Sequence, residues 1–170
     1  MRPATAAAAR RVGALLGREA LEFDAPTRTA AEAAAALGCA VAQIAKSILF
    51  RDAAGRPVLC LLPGDRQVDE DRLAALLGRP VARADAAYVR EATGYPIGGV
   101  APVGHRTPPE VLADPALLDH AEVWVAAGTP HAVAGLPPEA LLRLARARLA
   151  PLARRGPAPT AGLGPPGGLV

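Results

Sequence analysis

The sequence predicts an α+β domain in which short strands and helices are mixed, rather than a doubly wound α/β sheet. Three observations predict it. Apolar segments of strand length lie among amphipathic helical segments with no regular βαβ alternation. One hairpin is written plainly in the middle of the chain. The chain also has 170 residues, 51% of them hydrophobic, enough to bury the core of one domain of ordinary size. Many of those residues are alanine and only 3% of the chain is aromatic, so Leu, Val and Ile must supply most of the buried area.

Thr5 to Leu16 reads as a helix with Val12, Leu15 and Leu16 on one face. Leu21 to Phe23 follows as a short strand closed by Asp24-Ala-Pro26. Thr29 and Glu32 have the spacing of a capping box, and Gly38 ends the helix they open. The hairpin comes next: Lys46 to Phe50, a turn at Asp52-Ala-Ala-Gly55, and Pro57 to Leu62. Asp69 caps a helix that runs through Leu77 to Gly78, and a second short helix spans Asp85 to Ala92. Val111-Leu112 is a short extended piece, Glu122 to Ala126 a strand, and Ala132 to Ala134 a further strand. Pro137-Pro138 starts the last helix, Glu139 to Leu149. Residues 1–150 are thus expected as a single domain. From Pro151 to Val170 proline and glycine dominate, and a flexible tail is expected there.

No window approaches the ~18 apolar residues of a membrane span, and the alanine- and arginine-rich start does not read as a signal peptide. Cys39 and Cys60 stand in apolar settings and read as buried thiols in a reducing, cytoplasmic compartment, a disulfide between them being the alternative that nothing in the sequence indicates. The net charge is +3. Five arginines (Arg143, Arg146, Arg148, Arg154 and Arg155) follow the last acidic residue, Glu139, and without them the balance is −2. The body of the chain is therefore not a strongly basic nucleic-acid module; the basic end either contacts phosphates or is a solvated helix face.

Of the 19 Lys and Arg residues, only Lys46 is a lysine. An ammonium is compact, has three rotatable donors and shifts its pKa when buried, which a guanidinium does not do. The plainer reading is a strand-end lysine reaching solvent. The loop Thr93-Gly-Tyr-Pro-Ile-Gly-Gly-Val-Ala-Pro-Val-Gly-His105 holds four glycines and two prolines in thirteen residues, yet is apolar. Such a loop is held against the fold, and Gly98-Gly99 would let backbone N–H groups approach an oxyanion or a water. The structural alternative is a tight bend. His131, in Gly128-Thr-Pro-His131, is either a base at a turn or a surface histidine. No histidines have metal-ligand spacing, so neither metal nor other cofactor is expected. Ser47 alternates to the opposite face of the strand from Lys46, which argues against a Ser–Lys dyad.

Three segments together resemble the YbaK/EbsC family, which includes the editing domain of bacterial prolyl-tRNA synthetases. They are Val41-Ala-Gln-Ile-Ala-Lys-Ser-Ile-Leu-Phe50, Val68-Asp-Glu-Asp-Arg-Leu-Ala-Ala-Leu-Leu-Gly78 and Tyr88 through His105. Val123-Trp-Val-Ala-Ala-Gly-Thr-Pro-His131 fits one branch. The resemblance spans roughly Ala20 to Leu149 and implies a mixed, barrel-like sheet surrounded by helices. It implies a trans-editing hydrolase that cleaves the ester of mischarged aminoacyl-tRNA carrying a small amino acid. The acceptor end of tRNA is then the partner, with an aminoacyl-tRNA synthetase as a second. Lys46 corresponds to the family's essential lysine, Gly98 and Gly99 to its substrate loop, and His131 to a histidine of the alanine-clearing branch. The aspartate of the cysteine-clearing branch is absent, with Ala132 and Val133 nearby. Ile44, Thr93, Gly94, Tyr95, Ile97, Val100, Pro102 and Gly128 complete the expected substrate-binding set. The alternatives are a non-catalytic module of the same fold that binds a nucleotide or a tRNA end, and a synthetase-associated adaptor.

Overall fold

Asp52 organises the central hairpin. In this computed structural model, which describes residues 1–25 and 27–155, strand β3 (Ala45–Asp52) pairs antiparallel with β4 (Pro57–Pro63) from Ala45↔Pro63 to Arg51↔Pro57. One Asp52 oxygen accepts the N–H groups of Ala54 and Arg56, and Gly55 takes the positive φ of 79° that the turn needs. The other oxygen binds Arg56 Nε at 2.8 Å and Arg79 Nε at 2.9 Å. All seven residues of β4 are buried, as befits a strand covered on both faces.

The remaining elements build out from this hairpin. They are β1 (Arg2–Pro3), α1 (Ala7–Leu16), β2 (Leu21–Glu22), α2 (Ala30–Leu37), β5 (Arg66–Val68), α3 (Glu70–Leu77), β6 (Val81–Arg83) and α4 (Ala86–Thr93). After them come β7 (Glu110–Ala113), β8 (Val123–Ala126), β9 (Ala132–Leu136), α5 (Pro138–Ala145), β10 (Arg148–Leu149) and β11 (Ala153–Arg155). A five-stranded sheet has the order β10-β7-β4-β3-β6, with β7 parallel to both neighbours and the other pairs antiparallel. A four-stranded antiparallel sheet has the order β1-β2-β9-β8, and β5 pairs with β11 by themselves. The α+β class with a mixed sheet is therefore as expected, but among the described residues the sheets do not close into a barrel. Among the described residues, the two larger sheets are joined by one parallel bridge, Ile44 to Trp124.

Strand alternation sorts the apolar side chains into three layers. Ala45, Leu49, Leu59, Leu61, Val123, Val125, Ala132 and Ala134 point between the two large sheets, where α1, α4 and α5 add Val12, Val89 and Leu141. Phe50, Val58, Cys60 and Leu62 face the other way, against Leu73 of α3 and Leu152. Val133 packs outward with Phe23 and with Ala33 and Ala34 of α2. Each fully buried Leu contributes about 1.5–3 kcal/mol relative to exposure.

Three expectations need correction. Glu32 completes no reciprocal box: Thr29 accepts its N–H, but its carboxylate takes the N–H of Arg28 instead. The last helix stops at Ala145 because Arg146 turns left-handed at φ 52°, and Arg148-Leu149 joins β7 as a parallel strand. Ordered structure also continues past Ala150. Leu152 is buried in the α3 layer and β11 pairs with β5, so the start of the expected tail is part of the fold. Residues 156–170 lie outside the described residues. Among the described residues, no helix is long and apolar enough to cross a membrane.

Candidate active site

The glycine-rich loop is braced by its own side chains. Thr93, at the end of α4, donates to Val89 O at 2.6 Å and accepts the Tyr95 N–H at 3.0 Å. Tyr95 is buried and donates to Val103 O at 2.8 Å, spanning the loop, and the His105 ring meets its edge. His105 Nε2 lies 2.7 Å from Ala101 O, and burial lowers its pKa, which favours the neutral ring. Gly94 and Gly98 take positive φ values of 81° and 86°. Thr93, Gly94 and Tyr95 are therefore struts of the loop: the Thr93 hydroxyl and the Gly94 N–H tie it to α4, and the Tyr95 hydroxyl spans it.

The tip of the loop is a turn in which the Gly99 N–H donates to Pro96 O at 2.9 Å, with Gly98 at the position that requires a left-handed residue. The sequence reading offered both glycines as donors. Gly99 does not serve that way, because its N–H is used. What it provides is proximity: a Cβ there would lie 2.8 Å from the backbone of Thr129, so only glycine seats the loop against the turn that carries His131. The N–H groups of Gly98 and Val100 have no acceptor among the described residues. Gly128, at φ 85°, packs its Cα toward Val12, Ala8 and Tyr95, which fixes the other side of this junction.

His131 stands exposed on the rim of a cavity of about 370 Å³ lined also by Arg2, Ala6, Glu22, Phe23, Asp24, Ala25 and Thr129. Its carbonyl accepts the Phe23 N–H at 2.9 Å, tying the turn to β2. Inside the rim, Glu22 accepts the Ala6 N–H at 2.9 Å and the Thr5 hydroxyl at 3.0 Å. The Ala6 N–H, foremost among these bonds, lowers the Glu22 pKa and keeps it a carboxylate at the start of α1.

The expected pocket walls are distributed differently. Ile44 is buried in the same layer as Phe23, Val100 is buried in the main core, and Ile97 is 44% exposed at the loop tip. Pro102 lines a separate cavity of about 260 Å³ with Pro108, Pro109, Leu144 and Arg146. Sequence reasoning passed over Phe23, Thr129 and Arg2. Thr129 was visible inside Gly128-Thr-Pro-His131, whereas nothing local marks Arg2, which the pairing of β1 with β2 brings to the rim.

Lys46 is half-buried on β3, on the face it shares with Ile48 and Phe50. Its ammonium donates to the carbonyl oxygen of Arg66 on β5. Burial, and then the nearby Arg83 guanidinium, push its pKa below the ordinary lysine value, against a smaller opposing effect of Asp65. The structure thus brings Gly99 to the Thr129–His131 turn directly. The Lys46 ammonium is held by β5, and Val100 and Ala101 of the loop pack on the opposite face of the sheet.

The model of the aminoacyl-tRNA editing domain matches residues 24–144. Protein YwhH of Bacillus subtilis, itself uncharacterised, is 32% identical over 120 residues, which is 71% of this chain and 76% of that protein. A proline–tRNA ligase of Lactobacillus helveticus is 39% identical over 87 residues, 51% of this chain but 15% of the ligase. A crystal structure described as a candidate trans-editing enzyme for prolyl tRNA synthetase aligns with a TM-score of 0.84 and 41% identity, covering 89% of this chain and 99% of that one. With most of its length matched by the family and by relatives of similar extent, this chain belongs to the aminoacyl-tRNA editing domain family.

Proposed function

We propose that the protein is a trans-editing aminoacyl-tRNA deacylase that hydrolyses the ester of a tRNA mischarged with a small amino acid. The observation that carries the reading is the seating of Gly99 on Thr129, which sets a loop whose Gly98 and Val100 N–H groups have no acceptor among the described residues against the turn that carries His131 at a cavity rim. Family membership and the likeness to a candidate trans-editing enzyme support it.

An aminoacyl ester is already activated, so the protein must hold it, place a water and stabilise the developing oxyanion. Water adds to the ester carbonyl carbon. The free N–H groups of Gly98 and Val100 face the charge that builds on the carbonyl oxygen. The bond to the ribose oxygen then breaks, that oxygen takes a proton, and free amino acid and tRNA leave. In this reading His131, at the cavity rim, receives the proton of the attacking water. Lys46, across the sheet from the loop, grips a backbone phosphate of the tRNA end as a point charge. The cavity admits a small side chain and rejects a bulkier one, the sieve logic of editing.

The test is a deacylation panel on tRNAs charged with Ala, Ser, Cys and Pro. Hydrolysis of at least one small aminoacyl ester well above the spontaneous rate is expected, and a flat panel would sink the reading. A second reading, a non-catalytic module that holds a tRNA end, is favoured by one observation: Gly99 N–H and the Lys46 ammonium both have internal partners already. Tight binding of uncharged tRNA with no hydrolysis of any ester would select it.

A further inference from the structure

Lys46 does not stand alone, because its acceptor is held by the end of the chain. Arg66, whose carbonyl takes the ammonium, is the residue of β5 that pairs with Arg155 of β11. The anchor of β11 is Asp114, a carboxylate only 3% exposed. Its Oδ2 accepts the N–H of Leu152 at 3.1 Å and of Ala153 at 3.0 Å, and its Oδ1 accepts the Ala116 N–H at 3.0 Å and faces the Arg66 guanidinium at 3.6 Å. The Asp69 N–H donates to Leu152 O at 2.9 Å, closing the far end of β5 onto the same strand. Main chain and side chain of Arg66 are therefore both fixed by one assembly: the Asp114 carboxylate and the strand that it pins.

The geometry points to Asp114 and β11 as a positioning device for Lys46, a strap from the C-terminal strand that pre-orders the ammonium for an anionic substrate. Its reason is entropic. A lysine carries about 2 kcal/mol of rotamer freedom, and a tethered stem loses less of it when a phosphate arrives. A strand serves the purpose better than a side chain partner, since it fixes a carbonyl that cannot titrate. A purely structural carboxylate would need to hold Leu152 and Ala153, but would have no bearing on the lysine two strands away. This role deepens the deacylase reading and rests on it for its kinetic consequence.

The chain has one lysine, so selective 15N-lysine labelling of the full-length protein gives one side-chain ammonium signal. A hydrogen-bonded, half-buried ammonium exchanges slowly enough with water to be seen. Two variants loosen the strap in different ways. Asp114→Asn keeps an oxygen for Ala116 but turns an amide donor toward the Leu152 and Ala153 N–H groups. Ala153→Pro leaves the carboxylate and removes one N–H. In each, with a dispersed backbone spectrum retained, the Lys46 ammonium signal is expected to broaden away. The KM for charged tRNA should rise roughly two- to tenfold, the range of one net hydrogen bond, with kcat changed little. An ammonium signal that persists in either folded variant overturns the proposal, and so does a loss confined to kcat. If the unaltered protein hydrolyses no ester, the deacylase reading falls, and the ammonium signal alone decides whether the strap holds the lysine.

Discussion

At the scale of single residues, two charges have work that other residues could not take over. Lys46→Ala is expected to lower kcat/KM for ester hydrolysis by roughly ten- to hundredfold, the equivalent of about 1.5–3 kcal/mol for a charged hydrogen bond. Lys46→Arg should restore little, because a planar guanidinium does not fit a place set for a compact ammonium beside Arg66 O. The lysine is a cation below its pKa and neutral above it. Since burial sets that pKa below the ordinary lysine value, activity should fall as pH rises, starting earlier than for an exposed lysine. The check is a pH profile of kcat/KM after subtraction of spontaneous hydrolysis. Asp52 acts on stability instead. Its pKa is lowered to about 2, first by the Arg56 N–H and then by the Arg56 and Arg79 side chains. A carboxylate with a lowered folded-state pKa stabilises the fold above the ordinary value near 3.8 and loses that contribution as pH falls toward 2. Urea unfolding should therefore show stability declining between pH 4 and 2, and Asp52→Asn should flatten that decline while lowering stability at pH 7.

At the scale of elements, the loop and the turn are one unit made by glycine. Gly98→Ala places a side chain at φ 86° and should cost about 1–2 kcal/mol, read as a lower midpoint of chemical denaturation. Gly99→Ala acts differently: its φ is permissive but its Cβ would collide with Thr129. That variant should stay folded, lift the loop from the turn and lose hydrolysis, measured on the best substrate of the panel. The sequence already showed that this loop was held, since its residues are apolar and its prolines fixed. It did not show which glycine gives a donor and which gives closeness, because that depends on where Pro96 O and Thr129 fall in space. The hairpin was legible to within two residues at each end, because Asp52 and Gly55 are local determinants. The end of α5 was not, because the left-handed turn at Arg146 serves the pairing of β10 with β7, a distant strand.

At the scale of the whole molecule, the layers were legible and their closure was not. Alternation along β3 and β4 announces a central hairpin with two apolar faces, but nothing local says that the two sheets meet at one bridge rather than a closed seam. The C-terminal strand was hidden for a similar reason: Ala153–Arg155 has no apolar signature, and Asp114 holds it from 39 residues away. Leu152→Ala should cost about 2–5 kcal/mol, as for other buried leucines, with a denaturant midpoint as the check. The interior between the sheets has its own consequence. Ala45, Ala101, Ala113, Ala127, Ala132 and Ala134 are all buried there at 1% exposure or less. Their methyl groups fill the places between the buried leucines and valines of that layer, and with so little slack left between side chains the spacing of the sheets works as a fixed gauge. Enlarging any one of them forces the backbones apart at a cost of about 1–3 kcal/mol. An adaptive search for new substrate preference would therefore find its freedom at the cavity rim, around Phe23, Thr129 and His131, and almost none in the layer beneath.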